Sequence, residues 1–170
     1  FSIAASESHV LLKFRVKERN FRAVHTAINS PVYEDSCVEF FIAFDDNGYY
    51  NFEFNCIGTT LAEFGKNRKL RKFLPLSAIE KIMTETVIKY VKDGFYIWEL
   101  AVIIPVETFI HHKIKDLRTQ EYRVNFYKCG DKLTQPHYIV WSPIVSSEPD
   151  FHQPQYFGRL TFSAGAGLSK

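Results

Sequence analysis

Polar and apolar residues alternate along most of this chain, and helical periodicity is scarce. The clearest alternation runs from Cys37 to Ile57 and is interrupted by the turn signal Asp46-Asn47-Gly48. A three-residue hairpin loop favours a left-handed residue at its third position, and glycine adopts that conformation without strain. The pattern therefore predicts a β-hairpin in which Asp45 pairs with Tyr49.

This register divides the hairpin into an apolar face and a polar face. The apolar face holds the predicted pairs Phe44/Tyr50, Ile42/Phe52, Phe40/Phe54 and Val38/Cys56. The polar face holds Ala43/Asn51, Phe41/Glu53 and Glu39/Asn55, so that Glu39 and Glu53 lie diagonally. A one-residue shift would mix the two sets, and we reject it. A face rich in carboxylates and amides suits polyhydroxylated ligands, but an ordinary solvated sheet surface has the same composition.

The remaining sequence predicts further strands and little helix. Strands are expected over residues 10–17, 21–28, 59–64, 86–90, 95–104 and 121–129, then one ending near Trp141 and a last one over 158–162. The segment 21–28 is expected to pair with 10–17. The segment 95–104 is almost entirely apolar, which indicates a central strand covered on both faces. Short helical segments are expected at 75–80 and 106–110.

Together these elements predict an all-β fold, an antiparallel β-sandwich of two sheets with a jelly-roll or immunoglobulin-like arrangement. A chain of 170 residues is long enough for one domain with a sizeable core and short for two. We expect a single domain over residues 1–163 and a flexible tail over 164–170, where glycine, alanine and serine are frequent.

Composition narrows the classes of partner. A net charge of +2 gives no general electrostatic attraction to nucleic acid, and the basic run 66–72 is expected to be a solvated loop. No apolar run is long enough to span a membrane, and no signal peptide is visible, although the chain can be a truncated one. Cys37, Cys56 and Cys129 are expected to be buried free thiols, which leans weakly towards the cytoplasm without fixing a location. The oligomeric state is not encoded in any recognisable pattern.

No catalytic motif is present: the sequence contains no nucleophile elbow, phosphate-binding loop or zinc-protease motif. The adjacent His111 and His112 diverge on any regular element. Glu39 and Glu53 lie on the same face of the hairpin, and two carboxylates can in principle act as acid and base on a glycosidic bond. Such a pair more often binds ligand hydroxyls, so no catalytic residue is assigned.

The candidate residues are those of a saccharide site, where aromatic rings stack on sugars and carboxylates, amides or guanidinium groups bind hydroxyls. Tyr33 and Trp141 are the candidate stacking rings, whereas Trp98 is expected in the core. Glu99 is expected to be a buried partner of Arg123. The candidate polar ligands on the two strands are Glu39, Asn51, Glu53, Asn55, Arg123, Asn125 and Tyr127.

Three motifs stand out: PVYEDSCVEFFI at residues 31–42, WELAVIIP at 98–105 and FGRLTF at 157–162. They resemble motifs of family 9 carbohydrate-binding modules, and in particular of the stand-alone bacterial proteins of that type. The family motifs are the signature W-x-D-D-S-V-E-x-F, the E-x-x-I-P strand and the closing F-G-x-x-x-F strand. With 123–131 and 141–143, the resemblance extends over about residues 1–163.

The resemblance implies a β-sandwich that holds a mono- or oligosaccharide between two aromatic side chains. By position, Tyr33 matches the first aromatic, in place of the usual tryptophan, and Glu39 matches the acidic ligand. Asn125 and Trp141 match a late asparagine and the tryptophan that follows it. The family also implies structural calcium, whose ligands we cannot identify here, and no other cofactor is expected. Relatives are usually attached to glycoside hydrolases, which implies a role in polysaccharide breakdown.

Non-catalytic saccharide binding is thus the leading hypothesis. One alternative is an interaction or scaffold module that kept the fold and lost the sugar site, which predicts a flat polar face and an exposed apolar patch. A second is a glycoside hydrolase that uses paired carboxylates. A haem-binding variant of the related sandwich ranks last, because Met83 is the single methionine and lies in no clear motif.

Overall fold

The computed structural model describes residues 1–162, which form eleven strands in two antiparallel sheets. The first sheet has the order β1-β2-β8-β7: Ser2–Ala5, His9–Glu18, Phe95–Pro105 and Met83–Val91. The second has the order β10-β9-β3-β4-β5-β6: Tyr138–Val140, Glu121–Cys129, Cys37–Ala43, Tyr49–Asn55, Thr60–Gly65 and Lys72–Phe73. The last strand, β11 (Gly158–Thr161), also pairs with β9.

Side chains from both sheets meet in one apolar core. From the first sheet come residues of β2 and β8, and from the second come Val38, Phe40 and Ile42 of β3 with Phe52 and Phe54 of β4. This arrangement confirms the predicted all-β sandwich. Helix is limited to α1 (Leu76–Ile79) and short 3-10 turns at Val32–Glu34, Lys92–Gly94, Val106–Thr108 and Pro154–Tyr156. The two predicted helical segments therefore exist, but each is a single turn.

The predicted hairpin forms, but its register is wrong by two residues. Phe40 lies opposite Phe52, and Glu39 lies directly opposite Glu53 rather than diagonally. The division into two faces survives, because an even shift keeps every side chain on its side. The cause is a longer connection: β3 ends at Ala43 and β4 begins at Tyr49.

Gly48 does not have the left-handed conformation expected for it, since the described glycines with positive φ are Gly58 and Gly94. Within the connection, the Asn47 backbone N–H donates instead to Asp45 Oδ1 at 2.8 Å. A Cβ atom at Gly48 would lie 2.9 Å from the carbonyl oxygen of Gly65 on β5. Glycine is needed here for a close approach between two segments of backbone, not for a turn.

The predicted strand at 21–28 is absent, and β2 pairs with β1 and β8 instead. The backbone N–H groups of Val24 and His25 both donate to Asp35 Oδ2 at 2.9 Å. The buried Asp35 carboxylate thus accepts hydrogen bonds that the carbonyl groups of a neighbouring strand would otherwise accept, and the segment stays irregular.

The strand β8 is central, as predicted, but it is not covered on both faces. Its outward-facing Glu99 lies opposite Arg15 of the neighbouring strand β2. Lys13 Nζ lies 2.8 Å and Arg15 Nε 3.2 Å from the Glu99 carboxylate, whose side chain is 35% exposed. The expected Glu99–Arg123 pair is therefore wrong, because these residues belong to different sheets.

Other predictions about buried groups are confirmed. Trp98 is fully buried, and its Nε1 donates to Glu18 Oε1 at 2.7 Å. The three cysteines are buried and form no disulfide.

The predicted C-terminal tail lies outside the described residues. Among the helices of residues 1–162, none is long and apolar enough to cross a membrane.

Candidate functional site

The polar face of the β3–β4 hairpin is buried, in contrast to the open platform that the sequence predicts. Asn51 and Asn55 are fully buried, and Glu39 and Glu53 are each 3% exposed. The period-two pattern identified the face, but it could not show that other parts of the chain fold over it. Burial changes the chemistry of these groups, because a carboxylate removed from water needs partners or a proton.

One cover is the segment 141–157, which side chains of the sheet hold down. Asn125 bonds Ser142 from both ends of its amide: Nδ2 donates to the Ser142 carbonyl at 3.0 Å, and Oδ1 accepts from the Ser142 N–H at 2.9 Å. The Tyr127 hydroxyl donates to the Phe151 carbonyl at 3.0 Å, and the two rings stack 4.2 Å apart. Asn125 and Tyr127 therefore fix the cover of the site.

A second cover is the turn Val32–Glu34, which precedes β3. Its Val32 is fully buried against Cys37, Leu61 and Cys129. The Asp131 N–H donates to the Tyr33 carbonyl oxygen at 3.0 Å, which ties the turn to the end of β9. The backbone at Tyr33 is thus fixed, while its side chain remains 39% exposed.

Between these covers and the basic run 66–72 lies an open cavity of about 860 Å³. Its aromatic lining consists of Tyr33, Phe73, Tyr138 and Phe151. Its charged lining consists of Glu53, Glu63, Asp131 and Asp150 with Arg68, Lys69 and Arg71. A concave site with rings and convergent polar groups is the usual form of a small-molecule site.

Arg71 organises one wall of the cavity. Its guanidinium pairs with the carboxylate of Glu63 and lies 3.9 Å from Glu53 Oε1. Its side chain is only 12% exposed, so the prediction that the whole run 66–72 is a solvated loop is wrong at this position. The side chain folds inward because Glu63 of β5 offers a carboxylate with which it can pair.

Glu53 lies at the inner end of the cavity with an unusual balance of partners. Asn51 Nδ2 donates to its Oε1 at 3.0 Å, whereas its buried Oε2 has no hydrogen-bond partner among the described residues. Burial raises the Glu53 pKa to about 7. The positive charge of Arg71 opposes this rise, and the negative charge of Glu63 adds to it. Glu53 thus brings a buried carboxylate oxygen without a partner next to the cavity, and a ligand can reach that oxygen only if the side chain turns towards the cavity.

The acidic groups around the cavity also change the pKa of Tyr33. Partial burial raises the pKa of the Tyr33 phenol, and the negative charges of Glu53 and Glu34 raise it further. Asp131, whose own pKa is raised by burial, acts on Tyr33 in the same direction. The tyrosine ring and the acidic groups therefore share one environment.

Glu39 lies behind the cavity wall rather than in its lining. The Cys129 thiol donates to Glu39 Oε1 at 3.0 Å, and Cys129 itself reaches the cavity. Burial, followed by the neighbouring Cys129 and Glu53, raises the Glu39 pKa well above its usual range. Burial likewise raises the pKa of the Cys37 thiol to about 11.

The structure separates the predicted site residues into two groups. Tyr33 and Glu53 line the cavity, with Glu39 just behind them. Asn55 does not reach it, because its Nδ2 donates to Asp35 Oδ2 at 3.0 Å and to the His25 carbonyl at 2.7 Å. Asn125 holds the covering segment instead of lining the cavity.

Arg123 and Trp141 also lie outside the cavity lining. Arg123 Nη2 binds Asp46 Oδ1 at 2.7 Å, at the exposed hairpin connection. Trp141 packs edge-on against Phe126, whose side chain belongs to the main core, and its ring leaves no room for a Cβ atom at Gly158. The expected stacking pair of Tyr33 and Trp141 is therefore not assembled around this cavity.

The sequence prediction missed several lining residues, including Arg71, Phe73, Asp131, Tyr138 and Phe151. Asp131 ends the segment 123–131, which the family resemblance includes, and Tyr138 lies in the strand predicted to end near Trp141. Arg71, Phe73 and Phe151 lie in segments without strong periodicity, so no local pattern indicates which way their side chains point.

Calcium, which the family resemblance implies, does not fit the metal-ligating group found within residues 1–162. That group is Cys37, Glu39 and Cys129, whose ligand atoms all lie within 4.8 Å of one another. Calcium takes six to eight oxygen ligands, whereas this set offers two sulfur atoms and one carboxylate.

Comparison with known proteins identifies the family of this chain. The model of carbohydrate-binding family 9 matches residues 1–162. This chain belongs to carbohydrate-binding family 9. A solved structure of a candidate carbohydrate-binding protein from Bacteroides uniformis is similar to this family 9 chain, with a TM-score of 0.89 and 38% sequence identity. The match covers 95% of this chain and 76% of that one. No curated protein sequence matches.

Proposed function

We propose that this family 9 protein binds a mono- or oligosaccharide in the cavity beside Tyr33, without cleaving it. The observation that carries the proposal is that one cavity is lined both by Tyr33, a part-exposed ring on a fixed backbone, and by the carboxylate of Glu53. A sugar presents an apolar ring face and a rim of hydroxyl donors, which are complementary to these two groups.

The size and composition of the cavity agree with this ligand class. A volume of about 860 Å³ is within the range of pockets that hold small molecules. Its charged side chains include both acids and bases, so its hydrogen-bonding capacity is high without one dominant sign of charge. A neutral polyhydroxylated ligand fits such a lining better than a strongly charged one.

Binding without catalysis follows from the position of the carboxylates. A glycoside hydrolase needs an acid and a second carboxylate on either side of the bond that is cleaved. Of the two glutamates nearest to Glu53 in the sheet, Glu39 is 3% exposed behind the wall and Glu63 is held by Arg71, so neither is free to act with Glu53 across a substrate. A non-catalytic role in polysaccharide breakdown, in which the module holds a sugar, is part of the proposal.

The concave cavity also favours saccharide binding over the interaction-module alternative, which predicts a flat polar face. Calorimetric titration of the purified chain with mono- and disaccharides tests the proposal. Neither Trp98 nor Trp141 lines the cavity, so tryptophan fluorescence is a poor reporter. We expect one saccharide of the panel to bind with one-to-one stoichiometry.

Tyr33→Ala should weaken this binding by roughly 10-fold or more, because it removes the stacking ring and leaves the tied backbone in place. Tyr90→Ala is the matched control, since Tyr90 is 67% exposed on the edge strand β7, in the other sheet. Equal affinities of a folded Tyr33→Ala protein and the wild type would overturn the proposed site. Absence of binding across a broad panel would overturn the function.

A further inference from the structure

Two thiols and a carboxylate meet at the inner end of the cavity. Cys37 of β3 lies directly opposite Cys129 of β9 in the sheet register. Glu39 is two residues further along β3 and therefore on the same face. The three ligand atoms lie within 4.8 Å of one another, and Cys129 Sγ is 3.0 Å from Glu39 Oε1.

We propose that Cys37, Cys129 and Glu39 form a binding site for a borderline-soft divalent cation of the zinc class. Ligand atoms around tetrahedral zinc are about 3.5 to 3.8 Å apart, given metal–ligand lengths near 2.0 Å for oxygen and 2.3 Å for sulfur. The observed grouping reaches that spacing with small movements of side chains. Sulfur ligands select zinc over calcium or magnesium, which prefer oxygen.

The neighbouring Glu53 places a further carboxylate beside this group. Glu53 lies directly opposite Glu39 across β3 and β4, is 3% exposed, and has a buried Oε2 without a partner. A closed zinc site needs four ligands. Glu53 is on the same face but outside the group whose ligand atoms lie within 4.8 Å of one another, so it becomes the fourth ligand only if its side chain moves. A dipositive ion would also offset the negative charge that bound thiolates and carboxylates bring into a buried site.

An ion can reach this site through the cavity. Cys129 and Glu53 both contribute to the cavity lining, while Cys37 and Glu39 lie behind it. A proposed metal site requires such an entry path together with suitable ligands. The inference does not depend on saccharide binding, because Cys37 and Glu39 lie behind the cavity lining, whereas Tyr33 is part of it. Glu53 is the one residue that both proposals use, so saccharide binding is measured on the metal-free protein.

Cobalt titration of the intact chain provides the test, after treatment with a chelator and a phosphine reductant that leaves no competing thiol. We expect a saturable sulfur-to-cobalt charge-transfer band at one equivalent, which zinc displaces. A folded, reduced wild-type protein that gives no such band would overturn the proposal.

Variants locate the site. Cys129→Ser should weaken zinc binding by roughly 100-fold or more, because it removes a thiolate ligand. Cys56→Ser is the matched control: Cys56 is also a buried free cysteine, but its side chain lies in the main core. Its zinc affinity should stay within about twofold of the wild type. Equal losses in both variants would overturn the assignment.

Glu39→Gln provides a second test if the Cys129→Ser protein does not fold. The amide keeps the shape of the side chain, and its oxygen can still accept a hydrogen bond from the Cys129 thiol. It should also weaken zinc binding, and unchanged affinity would contradict the ligand role of Glu39. Saccharide calorimetry on the metal-free protein separates the two proposals. Zinc binding without saccharide binding supports the cation site and contradicts the proposed function, and the converse result does the opposite.

Discussion

Glu39 and Glu53 lie directly opposite each other on β3 and β4, and both are almost completely buried. Directly opposed residues on one face have Cβ atoms about 4.5 to 5.5 Å apart, and like charges at that distance repel. Burial raises both pKa values, and each is further affected by neighbouring acidic groups. The protein thus retains two unfavourable acids side by side, as expected where a ligand rather than stability determines the residue type.

Glu53→Gln tests this view, because the amide keeps the side-chain shape and removes the acid. We expect saccharide affinity to fall by roughly 10-fold, since a carboxylate binds hydroxyl donors more strongly than an amide does. Stability should stay the same or rise by up to about 1 kcal/mol, because the like-charge contact is lost. Calorimetry and denaturant unfolding measure the two effects.

Glu85→Gln is the control for this change, since Glu85 is exposed on the edge strand β7. This substitution should change neither the saccharide affinity nor the free energy of unfolding. A Glu53→Gln protein that binds saccharide as tightly as the wild type would show that Glu53 does not contact the ligand.

Asn125 should act on the covering segment rather than on the ligand directly. Asn125→Ala removes both hydrogen bonds to Ser142 and leaves its part-buried backbone N–H and C=O groups unpaired. We expect a loss of about 2 to 3 kcal/mol in the free energy of unfolding. Denaturant titration measures it.

Arg123→Ala is a useful comparison, because Arg123 is on the same strand and its ion pair with Asp46 is exposed. It should change stability by less than about 0.5 kcal/mol. Equal losses in the two variants would show that the Asn125 amide does not hold the cover.

Trp141→Phe should leave saccharide affinity within about twofold of the wild type, in contrast to Tyr33→Ala. Trp141 is 47% exposed, but it packs on Phe126 and Gly158 and does not line the cavity. Calorimetry with the saccharide found for the wild type is the measurement. A large loss of affinity would restore the sequence-based pairing of Trp141 with Tyr33.

The sequence was sufficient for the sandwich and for the two faces of the hairpin. The alternation of Phe40 and Ile42 with Glu39 and Phe41 has period two, so it assigns faces correctly even when the register is shifted by two residues. The register itself depends on the length of the turn. There the apparent signal of Gly48 was misleading, because this glycine serves a contact with β5.

The site was harder to predict from the sequence than the fold, for a physical reason. Tyr33 and Glu53 lie in or beside strongly patterned strands, and their motifs place them. Arg71 and Phe151 belong to irregular segments, and their positions depend on contacts made at a distance along the chain, with Glu63 and Tyr127. Local periodicity contains no information about such contacts.

His152 gives a prediction about pH that is independent of the ligand. Its Nδ1 lies 3.0 Å from the Tyr49 hydroxyl, and its ring stacks on Phe41 at 5.0 Å. Burial, followed by the positive charges of Arg71 and Arg68, lowers the His152 pKa to about 2. The unfolded chain has the ordinary value near 6.5, so below that pH it binds a proton that the folded protein does not.

The contribution of His152 to stability is therefore complete above about pH 6.5 and decreases as the pH falls, by at most about 1.4 kcal/mol per pH unit. His152→Gln removes this dependence. The difference in unfolding free energy between wild type and variant should shrink by up to about 2 kcal/mol between pH 6.5 and 5. Taking the difference cancels the carboxylates, including Glu39 and Glu53, whose raised pKa values act in the opposite direction. A constant difference over this range would mean that His152 is protonated in the folded protein.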